Sequence, residues 1–230
     1  MEQTLIIKSG KCAWGKCIFC GWGKKEYPKK TFEELKEFTE KHVKDGIKRL
    51  KIYVSGSVLD ENQIPFEYIK WLYKFASERN IKELVLETLP QFLSEEKAKE
   101  LENLSKQYNI TTYLAIGLEA ADDELLKKLN KPFRLKDFEE FVNRAKKHNL
   151  KLRVYLLVNI PANYDYLEKS VDYLKDKADE IVLINLYPHK DSAMIYLWLQ
   201  CFRNRLYDYI KDNRELLSKF ASYYEANMGY

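Results

Sequence analysis

Glycine and proline are scarce in this 230-residue chain, at 8 and 6, and histidine is scarcer still at 3. That scarcity excludes collagen-like and low-complexity architectures and points to a lean, helix-rich chain. His42, His148 and His189 lie far apart and form no metal or acid–base pattern. The first two fall on helical stretches, as surface or interface residues. No Ser-His-Asp order and no nucleophile elbow supports hydrolase chemistry. The glycine-rich phosphate loops of dinucleotide and P-loop folds are also missing. No apolar run is long enough to span a bilayer, and the opening Met-Glu-Gln-Thr-Leu-Ile-Ile-Lys has neither the apolar core nor the cleavage site of a signal peptide. The expectation is a cytoplasmic protein with reduced thiols and no membrane partner. Of only four cysteines, three fall within nine residues, which a disulfide framework does not explain.

What is present is a globular composition, 46% hydrophobic and 32% charged, in a chain long enough to bury one full core. The net charge of +4 is uneven. Residues 8–51 hold 13 Lys and Arg against 6 Asp and Glu, so the cysteine segment is the basic pole. It either attracts anions such as phosphates or is a solvated lysine-rich loop.

Short β-like runs alternate with amphipathic stretches. Strands are expected over Leu5–Lys8, Leu50–Val54, Glu83–Glu87, Thr111–Leu118, Lys151–Val158 and Glu180–Leu186. Helices are expected over Phe32–Lys44, with Thr31 and Glu34 as a capping box, over Pro65–Arg79, from Ser94 to about Gln107, and over Asp123–Leu129, Leu135–His148 and Tyr164–Lys177. Residues after Pro188 read as helical. Alternation with short connections argues a parallel sheet with right-handed crossovers, an α/β fold. A doubly wound sheet would want a phosphate loop after the first strand. A curved sheet would keep its chemistry on the loops after the strands, where the cysteines fall. The fold read here is therefore a partial (β/α)6 TIM-like barrel over 1–187 with a helical C-terminal extension over 188–230.

Cys12, Cys17 and Cys20 have the spacing Cys-x4-Cys-x2-Cys. Structural zinc wants four ligands, and no close fourth exists, since Cys201 and His42 are far off in sequence. Three thiolates on an iron–sulfur cluster leave one iron open to a second molecule. Trp14 and Trp22 flank the trio, to shield a cluster or to pack the loop. Other candidates lie at strand ends. Ser55, Gly56 and Ser57 follow the second strand, where Gly56 allows close backbone approach and the serines offer hydroxyls. Glu87 and Glu119 close the third and fourth strands, and in a parallel sheet they emerge on the edge that carries the cysteine loop. The alternative is a pair of acids at helix starts. Asn159 and Pro161 end the fifth strand, and Asn185 and Tyr187 the sixth. The Tyr- and Arg-rich tail reads either as an RNA-stacking surface or as a helix packed on the barrel.

Cys17-Ile18-Phe19-Cys20 resembles the cluster motif of the radical S-adenosylmethionine (SAM) superfamily. The run from Gly117-Leu118-Glu119 to Asn130-Lys131-Pro132-Phe133 resembles the fourth-strand segment of its Elongator-catalytic-subunit-like branch. Ser55-Gly56-Ser57-Val58-Leu59-Asp60, Glu87-Thr88-Leu89-Pro90 and Lys151-Leu152-Arg153-Val154-Tyr155 are similar to a narrower archaeal group that includes the radical SAM subunit of archaeosine synthase. The resemblance implies a [4Fe–4S] cluster on Cys12, Cys17 and Cys20, with SAM on its open iron. It implies SAM contacts from Ser55, Gly56, Ser57, Glu119 and Asn159, and Glu87 joins them as a cofactor-binding candidate from its place at the end of the third strand. It implies reductive cleavage of SAM to a 5′-deoxyadenosyl radical that abstracts a hydrogen. The substrate would be tRNA, with C–N cleavage of a lysine-modified deazaguanine. The partners would be a tRNA-modifying subunit and an electron donor such as ferredoxin or flavodoxin. The family's usual cysteine spacing has one residue fewer between the first pair. Radical chemistry on a small metabolite or peptide, and a non-enzymatic zinc-binding RNA module, stand as alternatives.

Overall fold

A computed structural model of the chain describes residues 1–158, 160, 165–186, 192 and 194. Asn159, His189, Cys201 and nearly all of the 188–230 extension lie outside the described residues. Strand β1 (Glu2–Ile6) leads into a two-stranded antiparallel ribbon, β2 (Gly10–Lys11) with β3 (Glu26–Tyr27). Then follow α1 (Phe32–His42), β4 (Arg49–Tyr53), α2 (Phe66–Glu78), β5 (Glu83–Glu87), α3 (Glu95–Tyr108) and β6 (Thr111–Glu119). The short α4 (Asp123–Lys128), α5 (Leu135–Lys147), β7 (Lys151–Val158), α6 (Asp165–Leu174) and β8 (Glu180–Asn185) complete the described fold.

The main sheet has six strands in the order β1-β4-β5-β6-β7-β8, every pair parallel. It curls into a half-barrel. The order never reverses, so this is not a doubly wound sheet. Most boundaries follow the sequence reading within two residues. The exceptions are α6, which ends at Leu174 rather than Lys177, and β1, which starts at Glu2 rather than Leu5 because its register on β4 runs from Glu2↔Arg49 to Ile6↔Tyr53. The ribbon of β2 and β3 was not anticipated, since two-residue strands carry no periodic signal.

Alternation sorts the strand residues onto two faces. Leu50, Ile52, Leu84, Leu86, Leu114, Ile116, Leu152 and Val154 join the large core with the helices. Helix residues such as Leu72, Tyr73, Leu101, Phe138 and Phe141 complete that layer. The other parity builds a smaller cluster, Val85, Ala115, Tyr155 and Val182, on the concave face. Local signals set the helix ends. Thr31 and Glu34 form the expected capping box on α1, and the side chains of Ser94 and Asp122 cap α3 and α4.

Ion pairs bridge the base of the half-barrel, where the strands begin. Arg49 on β4 bonds Glu83 on β5 and reaches Glu180 on β8 at 2.6 Å. Arg153 on β7 bonds the same Glu180, and its Nε donates to the Tyr155 hydroxyl at 3.1 Å. The Tyr53 and Tyr155 hydroxyls meet across β5 and β6. The ion pairs tie strands on both sides of the curl and leave the opposite, C-terminal edge for chemistry. His148 is not a surface residue. It caps α5, is buried, and lies between Glu102 (3.0 Å from Nδ1) and Glu95 (2.9 Å from Nε2) of α3.

Candidate functional site

The cysteine segment is the connection between β2 and β3, so the ribbon holds its two ends together. Its middle docks on the break between α4 and α5. Trp14 Nε1 donates to the Asn130 carbonyl at 2.6 Å, Asn130 Nδ2 donates to the Lys16 carbonyl at 2.8 Å, and the Ile18 N–H donates to the Leu129 carbonyl at 3.1 Å. Asn130 has a φ of 56°, a left-handed conformation that asparagine tolerates better than most residues. Ile18 and Phe19 pack against the core. Trp14 therefore fastens the loop, whichever face its ring shields. The half-buried Trp14 and Trp22 rings carry the ammonium groups of Lys16 and Lys25 at 5.1 and 5.7 Å.

All three thiols are partly buried and close enough to influence one another. Burial pushes Cys17 up to about 12; Lys131 opposes the shift, and the other two cysteines and Glu119 add to it. Burial also raises Cys20, against backbone N–H groups of Gly23 and Trp22 that bond its sulfur. The Gly15 N–H donates to Cys12 Sγ at 3.4 Å. Left as free thiols, Cys17 and Cys20 stay protonated, and a metal that takes them must displace their protons.

The carboxylates predicted at the strand ends do gather on this edge. Glu119 ends β6 at a register shift between Gly117 and Glu119 and has a φ of 72°. That bulge turns its buried side chain to Lys131, whose Nζ donates to Glu119 Oε1 at 3.0 Å, with the two side chains only 5% and 7% exposed. Burial alone would lower Lys131. Glu119, with Cys17 and Cys20 nearby, more than offsets that and holds it above the ordinary lysine value. The Lys131 ammonium also lies 5.1 Å from the Phe133 ring and 5.9 Å from that of Phe19 on the cysteine loop. Burial pushes the Glu87 carboxyl up to about 8; Lys131 opposes the shift and Glu119 adds to it. Glu87, although ringed by protein, keeps partial exposure. One buried cation thus links Glu87, Glu119 and the cysteines. Sequence reasoning did not single out Lys131, because a lysine in a break between two helices carries no local signal.

The loop after β4 comes against the cysteine loop. A Cβ on Gly56 would lie 3.0 Å from Cys12 Cα and 3.1 Å from Cys12 Sγ, so the approach this glycine permits here is to Cys12 rather than to the ligand expected. Ser55 is half-buried. Ser57 is fully buried, its hydroxyl shared with Thr88 at 2.8 Å and accepting the Leu59 N–H at 3.2 Å. It braces the loop against the end of β5.

These residues fit an iron–sulfur cluster. The donors are all thiols, the ligand type such clusters select. Backbone N–H groups already point at two of the sulfurs, and a glycine keeps the space beside the first one clear. Among the described residues, no three His, Cys, Asp or Glu side chains are grouped to hold a single metal ion.

Comparison with known proteins agrees with this geometry. The family described as the radical SAM superfamily matches residues 6–174. Archaeosine synthase subunit beta of Methanosarcina acetivorans is 30% identical over 213 residues, covering 85% of this chain and 60% of that protein. An uncharacterised protein of Methanocaldococcus jannaschii is 27% identical over 216 residues, covering 85% of this chain and 58% of its own length. The chain thus spans about 60% of the length of these relatives. Among solved structures, HydG, a maturase of [FeFe]-hydrogenase, superposes with a TM-score of 0.70 at 16% identity over 96% of this chain and 51% of that one. Streptococcus suis SuiB bound to S-adenosylmethionine gives 0.68 at 16% over 99% and 51%. Methylornithine synthase gives 0.63 at 15% over 84% and 56%.

Proposed function

This chain belongs to the radical SAM superfamily, and from that premise we propose that Cys12, Cys17 and Cys20 ligate three irons of a [4Fe–4S] cluster whose fourth iron takes SAM. The two cofactors, when bound, supply a 5′-deoxyadenosyl radical that abstracts hydrogen from a substrate. The chain's own residues bind, orient and exclude water. The supporting observation is convergence. Three thiols, the Ser55–Gly56 loop, and the Glu87–Lys131–Glu119 group all stand on the C-terminal edge of one parallel half-barrel. Ser55, Gly56, Glu87 and Glu119 would face SAM, and Ser57 would brace the loop that carries two of them. A cationic amine beside Glu87 would favour its ionised form and offset the burial that raises it. Asn159 lies outside the described residues and is carried over from the family resemblance alone. Anaerobic reconstitution with iron and sulfide, then dithionite and SAM, tests this reading. It yields 5′-deoxyadenosine if the reading is right. A cluster-loaded sample that yields none refutes it, as does a C17A variant that keeps full iron.

We further propose that the substrate is a modified base in tRNA, with archaeosine formation by C–N cleavage of a lysine-bearing deazaguanine as the reaction. Support comes from the 30% identical archaeosine synthase subunit and from exposed lysines on the cysteine segment, such as Lys8, Lys11 and Lys29. The relative's name as a subunit supports a partner chain, and reduction calls for a donor such as ferredoxin or flavodoxin. A tRNA-binding assay across a salt titration tests it. Affinity should fall steeply with salt; absence of binding at low salt, with and without the partner, counts against RNA and for a small metabolite or peptide.

A further inference from the structure

Gln63 is fully buried between the cysteine loop and the loop after β4. Its side-chain amide makes three hydrogen bonds. Oε1 accepts the Ser57 N–H at 2.8 Å, and Nε2 donates to Ser55 Oγ at 2.7 Å and to the Ser9 carbonyl at 3.3 Å. The orientation of the amide follows from its partners, because a backbone N–H can be met only by the oxygen and a backbone carbonyl only by the nitrogen. The Gln63 main-chain carbonyl accepts the Ser9 hydroxyl at 2.7 Å, and that hydroxyl also takes the Lys30 N–H at 3.0 Å.

Two glycines make room for this side chain. Gly10 has a φ of +63°, and a Cβ there would fall 2.7 Å from the Asn62 carbonyl oxygen and 3.3 Å from Gln63 Cγ. A Cβ on Gly56 would fall 2.7 Å from Gln63 Oε1. Gln63 is thus slotted between the residues that precede Cys12 and those that follow β4. It spans Ser9 on one side and Ser55 and Ser57 on the other. Because the Ser55 oxygen accepts from Gln63, its own proton is left for a second partner.

We propose that Gln63 is a positioning residue for SAM, setting the Ser55–Gly56 loop at a fixed distance from Cys12 so that a ligand can touch the open iron and that loop at once. The inference rests on the radical SAM reading above. No ligand contact is assigned to Gln63 itself. It acts by closing the buried N–H of Ser57 and aiming the Ser55 hydroxyl.

The test uses the reconstituted protein and follows the electron paramagnetic resonance spectrum of the reduced cluster as SAM is added. Gln63→Met keeps the volume and removes all three bonds. Gln63→Glu keeps the acceptor for Ser57 but reverses the Ser55 bond, so that hydroxyl donates its proton to the carboxylate, and the Ser9 contact is lost. Iron and sulfide content should stay at the wild-type level in both. The SAM concentration at half-effect should rise about tenfold in Gln63→Met, equivalent to about 1.4 kcal/mol, and severalfold in Gln63→Glu, which keeps only the Ser57 bond. A half-effect unchanged in Gln63→Met overturns the proposal. So does a folded Gln63→Met that has lost its iron, which would place the residue in cluster retention instead. If Gln63→Met does not fold, Gln63→Glu decides: a severalfold rise with full iron supports the proposal and no rise overturns it. A wild-type protein with no cluster signal, or none that SAM alters, refutes the radical SAM reading itself.

Discussion

Replacing Lys131 with methionine removes the cation that pairs with Glu119 and leaves that carboxylate inside the protein. The pair is 3.0 Å apart, and its side chains are 5% and 7% exposed, so solvent screens it little. Breaking a buried pair by removing one partner costs about 3–5 kcal/mol, because the remaining charge stays desolvated. Glu87 lies close enough for the unpaired Glu119 to push its carboxyl still higher. At a urea slope of about 2 kcal/mol per molar, a loss of about 4 kcal/mol moves the unfolding midpoint down by about 2 M. Anaerobic urea denaturation followed by far-ultraviolet circular dichroism measures it. The double variant Lys131→Met/Glu119→Gln removes both charges and should recover most of the loss, since the two effects are not additive. A Lys131→Met protein within about 1 kcal/mol of wild type would refute the argument. A double variant less stable than Lys131→Met alone would refute it too.

Three further outcomes follow from the same geometry. Glu87 is raised above its unfolded value of about 4.3 to about 8 in the folded chain. Its favourable contribution is full below the lower value and is lost as pH climbs through the upper one. Glu87→Gln should therefore flatten stability between about pH 4.5 and 8, and a slope equal to wild type there would show that Glu87 is not the titrating group. His148 is raised by its hydrogen bonds to Glu95 and then Glu102, despite burial. Its contribution is present below about pH 6.5 and disappears as pH rises through the folded value, so wild type but not His148→Gln should lose melting temperature across that window. Trp14→Phe deletes the donor to the Asn130 carbonyl and should cost about 1 kcal/mol. It should also release iron to a chelator severalfold faster than wild type; an unchanged release rate would mean that this bond does not hold the loop.

The capping box at Thr31, the six apolar strands and the helices between them could be read along the chain because each signal spans a few covalently linked residues. The cysteine trio was legible for the same reason, with all three thiols on one short loop. So was the edge on which Glu87 and Glu119 emerge, since parallel strands put their C-terminal ends together. The partners of these residues were decided only by folding. Lys131 reaches Glu119 because a bulge in β6 rotates that carboxylate. Gly56 gives close approach to Cys12 only where two loops meet. The base of the half-barrel is bridged from β4 to β8 because the sheet curls. Hydrophobic period and caps are properties of neighbouring residues, whereas register, curvature and the pairing of buried charges depend on which distant segments come to share a volume that excludes water.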